Sequence, residues 1–180
     1  MTRPRPSGNA LASRIPGADP RIYEFFEAWN DLRAGRLVPR KAAFDPSRVA
    51  SLLNAVWLYR FDADIDDFVC SLAGENVNDA WGRSIRGRCL RDIVGEKDHP
   101  VVLRRWQQIV SVPLIHYGAI QERMSRLATR RAERLIVPLT DDNDVPAFTL
   151  GLSLYAIDAG DPNRSALVPE DITQIRCADL

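Results

Sequence analysis

Hydrophobic residues change their spacing along this chain, and each spacing predicts an element. Ile22, Phe25, Phe26, Trp29 and Leu32 recur every three or four residues, the period of one helical face. Asp19-Pro20 before them reads as an N-cap followed by proline in the first turn, and Gly35 stands where a C-cap glycine belongs. Asp45-Pro46 repeats the start signal, so a second, shorter helix is expected to about Asn54. Residues 55–61 and 67–73 are rich in strand formers and flank an acidic turn, which predicts a hairpin. A short helix over 75–81 ends at Gly82, and a turn is expected near 90–94. His99-Pro100 opens a longer helix with Val102, Trp106, Ile109 and Val110 on one face, and Pro113 stops it. Three strands follow, at about 114–123, 133–140 and 146–156. The last alternates cleanly, with Phe148, Leu150, Leu152 and Leu154 on one side and Thr149, Gly151 and Ser153 on the other.

This order predicts an α+β fold. It is one five-stranded antiparallel sheet with helices on a single face, plus an N-terminal helical extension. Residues 1–18, with their prolines and glycines, read as a flexible arm. Residues 19–54 read as the helical extension, 55–157 as the core and 158–180 as a polar tail with a weak helix near Pro169–Cys177.

Composition removes several classes of function. The 180 residues suffice for one domain with a sizeable core. Lys+Arg and Asp+Glu balance at 24 each, so the basic excess of a nucleic-acid binder is missing. Among the cations only Lys41 and Lys97 are lysines, which reflects arginine-rich coding rather than a role. The N-terminus lacks the apolar stretch of a secretory signal, and apolar runs fall short of the ~20 residues of a membrane span. Cys70, Cys89 and Cys177 are odd in number, widely spaced and without C-x-x-C. That pattern argues against a disulfide framework or zinc site and for a reducing, cytoplasmic setting. No nucleic-acid or membrane partner is expected.

Several stretches carry a resemblance. They are W-N-D-L-R-A-G-R-L-V-P-R-K-A-A-F-D-P (Trp29–Pro46), Leu52-Leu53 and A-G-E-N (Ala73–Asn76). The glycines of W-G-R-S-I-R-G (Gly82, Gly87) and V-P-L-T-D-D (Val137–Asp142) complete the set. In this order they resemble a PAS domain, specifically the proteobacterial PAS subfamily formerly catalogued as a domain of unknown function. The resemblance covers about residues 20–156 and rests on the ordered set rather than on one motif. It implies a non-enzymatic sensory or signalling module. Such a module binds a small ligand, relays a signal through dimerisation or a partner protein, or does both. No kinase, cyclase or DNA-binding output segment is expected in the rest of the chain.

A pocket in such a domain lies between sheet and helices. The alternation places Leu58, Cys70, Leu72, Trp81, Trp106, His116, Phe148 and Leu150 around it, with plain core packing as the competing reading. The stripe Ile22, Phe25, Phe26, Trp29 and Leu32 reads as packing on the chain's own sheet, as the seam of a homodimer, or as both, and a homodimer is expected. No cofactor is expected. A covalent flavin adduct needs a cysteine in a G-x-N-C-R-F-L-Q block, and the corresponding A-G-E-N-V-N-D-A-W has none. For haem, His99 at a helix start reads as a surface or capping residue, and His116, beside Leu114, Gly118 and Ile120, as a core residue.

Two arginine clusters suit an anion: Arg83, Arg86, Arg88 and Arg91, and Arg123, Arg126, Arg130, Arg131 and Arg134. Solvated loops are the commoner explanation of such clusters. Neither a nucleophile–base pair nor a phosphate-cradling glycine motif is present. The rival reading is an NTF2-like cone isomerase or dehydratase using His116-Tyr117 and an acid such as Asp79. Topology separates the two. The PAS reading needs short helices between the second and third strands, and the cone needs its helices in the mouth of one long curved sheet.

Overall fold

Aspartate followed by proline starts a helical segment twice. Asp19 Oδ1 accepts from Arg21 N at 2.9 Å, and α2 runs Pro20–Leu32. Asp45 Oδ1 accepts from Ser47 N at 2.9 Å, but Pro46–Ala55 follows as a 3₁₀ segment kinked at Val49 rather than as an α-helix. This computed structural model describes residues 9–123, 128–159 and 171–180.

The sheet contains β1 (Val56–Asp62), β2 (Asp67–Ala73), β3 (Leu114–Arg123), β4 (Ala128–Thr140), β5 (Pro146–Ala159) and β6 (Asp171–Arg176). Every pairing is antiparallel, and the spatial order is β2-β1-β5-β4-β3-β6. Three helices lie between β2 and β3: α3 (Glu75–Ala80), α4 (Leu90–Val94) and α5 (His99–Ser111). That placement meets the PAS topology and not the cone topology.

Three expectations need correction. First, helices cover both faces of the sheet. The run Val56–Tyr59 is buried throughout, and a strand that is apolar on both sides needs cover on both. Val56 and Leu58 join Leu135, Val137, Leu139, Leu150 and Leu152 under α2. Their neighbours Trp57 and Tyr59 join Ile136, Phe68 and Cys70 under α3, α4 and α5. Second, the sheet has a sixth strand. Residues 171–176 carry no alternation that favours a strand by itself. They pair along the edge of β3, from Leu114↔Arg176 to Ala119↔Asp171, and so satisfy backbone groups that a sheet edge leaves open. Ile175 and Cys177 behind it are buried, which replaces the polar tail and weak helix there; residues 160–170 of that tail lie outside the described residues. Third, residues 9–18 are not an arm. They contain α1 (Asn9–Ala12), and Leu11, Ile15 and Ala18 are buried in the α2-side core. Residues 1–8 lie outside the described residues.

Candidate functional site

The strand register sets two cross-strand rows on the α5 side of the sheet. Trp57, Gly151, Ile136, His116 and Gln174 form one row, from β1 across to β6. Ser153, Arg134 and Gly118 form the next. Between these rows and α3–α5 lies a cavity of about 600 Å³.

Aromatic rings make one wall. The indoles of Trp57 and Trp106 stack with centroids 5.0 Å apart and planes within 6°. Tyr59 meets both edge-on, at 5.4 and 4.9 Å, and Phe68 meets Trp106 at 5.5 Å. Gly151 makes this wall possible, because a Cβ there would collide with the Trp57 ring. The helical side brings Val77 and Trp81 from α3 and its end, Leu90, Ile93 and Val94 from α4, and Val101, Val102, Arg105 and Trp106 from α5.

Polar groups converge at one point. The Ser153 hydroxyl, buried at 1% exposure, accepts from Trp57 Nε1 at 2.8 Å and from Arg134 Nε at 3.0 Å. His116 is buried, with Nδ1 3.4 Å from Gln174 Nε2. Burial pushes its imidazole down from 6.5 to about 4, and the guanidiniums of Arg105 and Arg134 push it further the same way. At neutral pH it is an uncharged hydrogen-bonding group. Burial raises the Tyr59 phenol well above its usual range and the Cys70 thiol to about 11. A thiol so placed is a poor nucleophile. The arrangement suits holding a molecule rather than attacking one.

The structure divides the sequence-predicted pocket residues between the two faces. Trp81, Trp106 and His116 line the cavity. Cys70 belongs to the same-face cluster. Leu58, Leu72, Phe148 and Leu150 lie in the opposite, α2-side cluster and are corrected from pocket to core. The apolar set of β5 goes to the dry face, and the set with small and polar residues faces the cavity. Fifteen of the lining residues were not among the pocket candidates, Trp57, Tyr59, Arg105, Ser153 and Tyr155 among them. Unbroken burial of the β1 run signals the first two. Arg105 shares one helical face with Val101, Val102 and Trp106, a spacing already visible in the sequence. Arg134 stood in the second arginine cluster and is the member that lines the cavity. Arg126 and the side chains of Arg123 and Arg130 lie outside the described residues, while Arg131, Arg83, Arg86, Arg88 and Arg91 are exposed.

The candidate dimer stripe is used within the chain. Ile22, Phe25, Phe26 and Trp29 are at most 1% exposed against the sheet, and Trp29 Nε1 donates to Pro138 O at 3.0 Å. Leu32 is partly buried at the helix end. His99, read as a surface or capping residue, is instead buried at the start of α5, with Nε2 3.1 Å from Asp67 Oδ1 but without hydrogen-bond alignment.

A family model for the PAS domain matches residues 19–154. The chain belongs to the PAS domain family. The fold of this PAS domain is also similar to that in the crystal structure of the Rhodobacter sphaeroides LOV protein. The TM-score is 0.43 and the identity 11%, covering 62% of this chain and 68% of that one. No curated protein matches the sequence. The cone-enzyme reading falls with the topology. Its residue pair is not assembled either, because Asp79 is exposed on α3 and is not among the residues lining the cavity beside His116.

Proposed function

We propose that this PAS domain is a non-enzymatic sensor that binds a small molecule in the cavity under α5 and relays occupancy to a partner protein or a second copy of the chain. The supporting observation is the cavity itself. Its volume of about 600 Å³ falls in the usual range for small-molecule sites, and its lining is mostly aromatic and aliphatic with a few convergent polar groups. PAS domains are in general sensory modules, and the raised Cys70 thiol fits binding better than covalent catalysis. A ligand touching Arg105 and Trp106 would bear directly on α5. Three free cysteines, two of them buried, suit a reducing compartment. Among the described residues no helix is long and apolar enough to cross a membrane.

Native mass spectrometry of freshly purified protein, with an absorbance spectrum, tests the reading. The expected result is a bound small mass that unfolding releases, with oligomeric state read in the same spectrum. A bare apo mass, together with no thermal shift from any member of a broad metabolite set, would sink it. Steady turnover of a substrate that vanishes in His116→Gln would favour an enzyme instead.

A further inference from the structure

Resting on that ligand-binding reading, we infer that the cavity takes a flat aromatic or conjugated monocarboxylate, with its carboxylate toward Arg134 and Arg105 and its ring system against the Trp57–Trp106 wall.

Charge comes first. Among the described residues, the charged ones lining the cavity are Arg105, Arg134 and Asp98. Asp98 is exposed, at the start of α5. Both guanidiniums sit close enough to His116 to disfavour its cation, so the inner end of the cavity is positive. Asp98 discourages a second anionic group at the outer end. Arg134 is oriented in advance, since its Nε is held on Ser153, which the Trp57 indole holds in turn. None of the ion pairs among the described residues involves Arg134. A fixed guanidinium fork at a partly desolvated site matches the planar geometry of a carboxylate.

Shape comes second. Gly118 lies across from Arg134 in the register and lines the cavity, so the floor beside the guanidinium is bare backbone. Beyond it the stacked indoles, Trp81 and Tyr155 present aromatic surface, which favours a flat partner over a bulky aliphatic one. Neutral His116 offers a directional hydrogen bond rather than a third positive charge. That suits one carboxylate better than a dianionic phosphate.

Calorimetric titration of the full chain, after extensive dialysis, tests this with 2-naphthoate, 2-naphthamide and cyclohexanecarboxylate. One charge-assisted hydrogen-bond pair should favour naphthoate over naphthamide by at least about tenfold. Naphthoate should also bind more tightly than cyclohexanecarboxylate. Arg134→Gln should weaken naphthoate by about tenfold or more and leave naphthamide unchanged. Arg105→Gln serves the same purpose if circular dichroism shows the first variant to be unfolded. Equal binding of naphthoate and naphthamide overturns the carboxylate assignment, and equal binding of cyclohexanecarboxylate overturns the flat body. In either case the cavity reading stands. If none of the three binds, this inference is overturned, and the native mass measurement decides separately whether the ligand-binding reading falls with it.

Discussion

The same strands build both faces of the sheet, but the faces are finished differently. On the α2 side, Phe25, Phe26 and Trp29 meet Leu135, Val137, Leu139, Leu150 and Leu152 in apolar contact, and the tryptophan N–H is spent on a backbone carbonyl. On the α5 side, the alternate residues of those strands include Arg134, Ser153 and Tyr155, and the packing stops short of closure around a cavity. One face is filled as a core, and the other combines a core near β2 with a vacancy over β3–β5. Alternation along a strand lets one segment serve both purposes without compromise, since residues i and i+1 never share a face.

Removing bulk from the filled side should have the largest effect. Phe26→Ala should cost about 3–5 kcal/mol in urea denaturation, because the side chain is fully buried in the α2-side core. It should leave binding in the cavity unchanged in the folded fraction. A loss well under that would mean that the α2 layer is looser than its burial indicates.

Acid should act through the cavity side. The folded His116 titrates near 4 and the unfolded one near 6.5. Between those values the unfolded chain takes up a proton that the folded chain refuses. Stability from this group is therefore complete above pH 6.5 and declines as pH falls toward 4, by about 3 kcal/mol in all. His116→Gln should flatten that part of the pH profile of the denaturation midpoint, and parallel profiles would remove His116 as the cause.

A smaller effect is expected from Gly151→Ala, which pushes a methyl group into the Trp57 ring. A cost of about 1–3 kcal/mol is the usual range for overpacking. It should come with loss of the near-ultraviolet dichroism of the Trp57–Trp106 pair. An unchanged spectrum would place the indole elsewhere. The smallest effect belongs to neither face. Asp144 pairs with Arg36 and Arg40 at the surface, on backbone of positive φ that asparagine tolerates. Asp144→Asn should leave the denaturation midpoint where it is, as exposed ion pairs do.

Most elements were legible because they depend on local signals. Asp19-Pro20, Pro113 and the alternation of β5 are readable without knowing the partner of any residue. The face to which β5 turns its apolar set is not local. Phe148 and Leu150 look equally suited to a pocket or a core, and only the presence of a second helical layer decides. That layer was half-announced by V-W-L-Y in β1, which has no polar side to give to solvent. The sixth strand was illegible for a related reason. D-I-T-Q-I-R becomes a strand because β3 has an edge to offer, and no property of those six residues reports that edge.

The double role of the Ser153 hydroxyl gives the cavity an optical gauge. Trp57 and Arg134 donate to the same oxygen, so any change in the grip of the arginine alters the hydrogen bond of the indole as well. Indole emission responds to the polarity and hydrogen bonding around its N–H. Trp29, on the far side of the sheet with its N–H on Pro138, stays as an internal reference. If a ligand fills the cavity as proposed, its arrival would show in the unlabelled protein as a change in the colour of its own fluorescence.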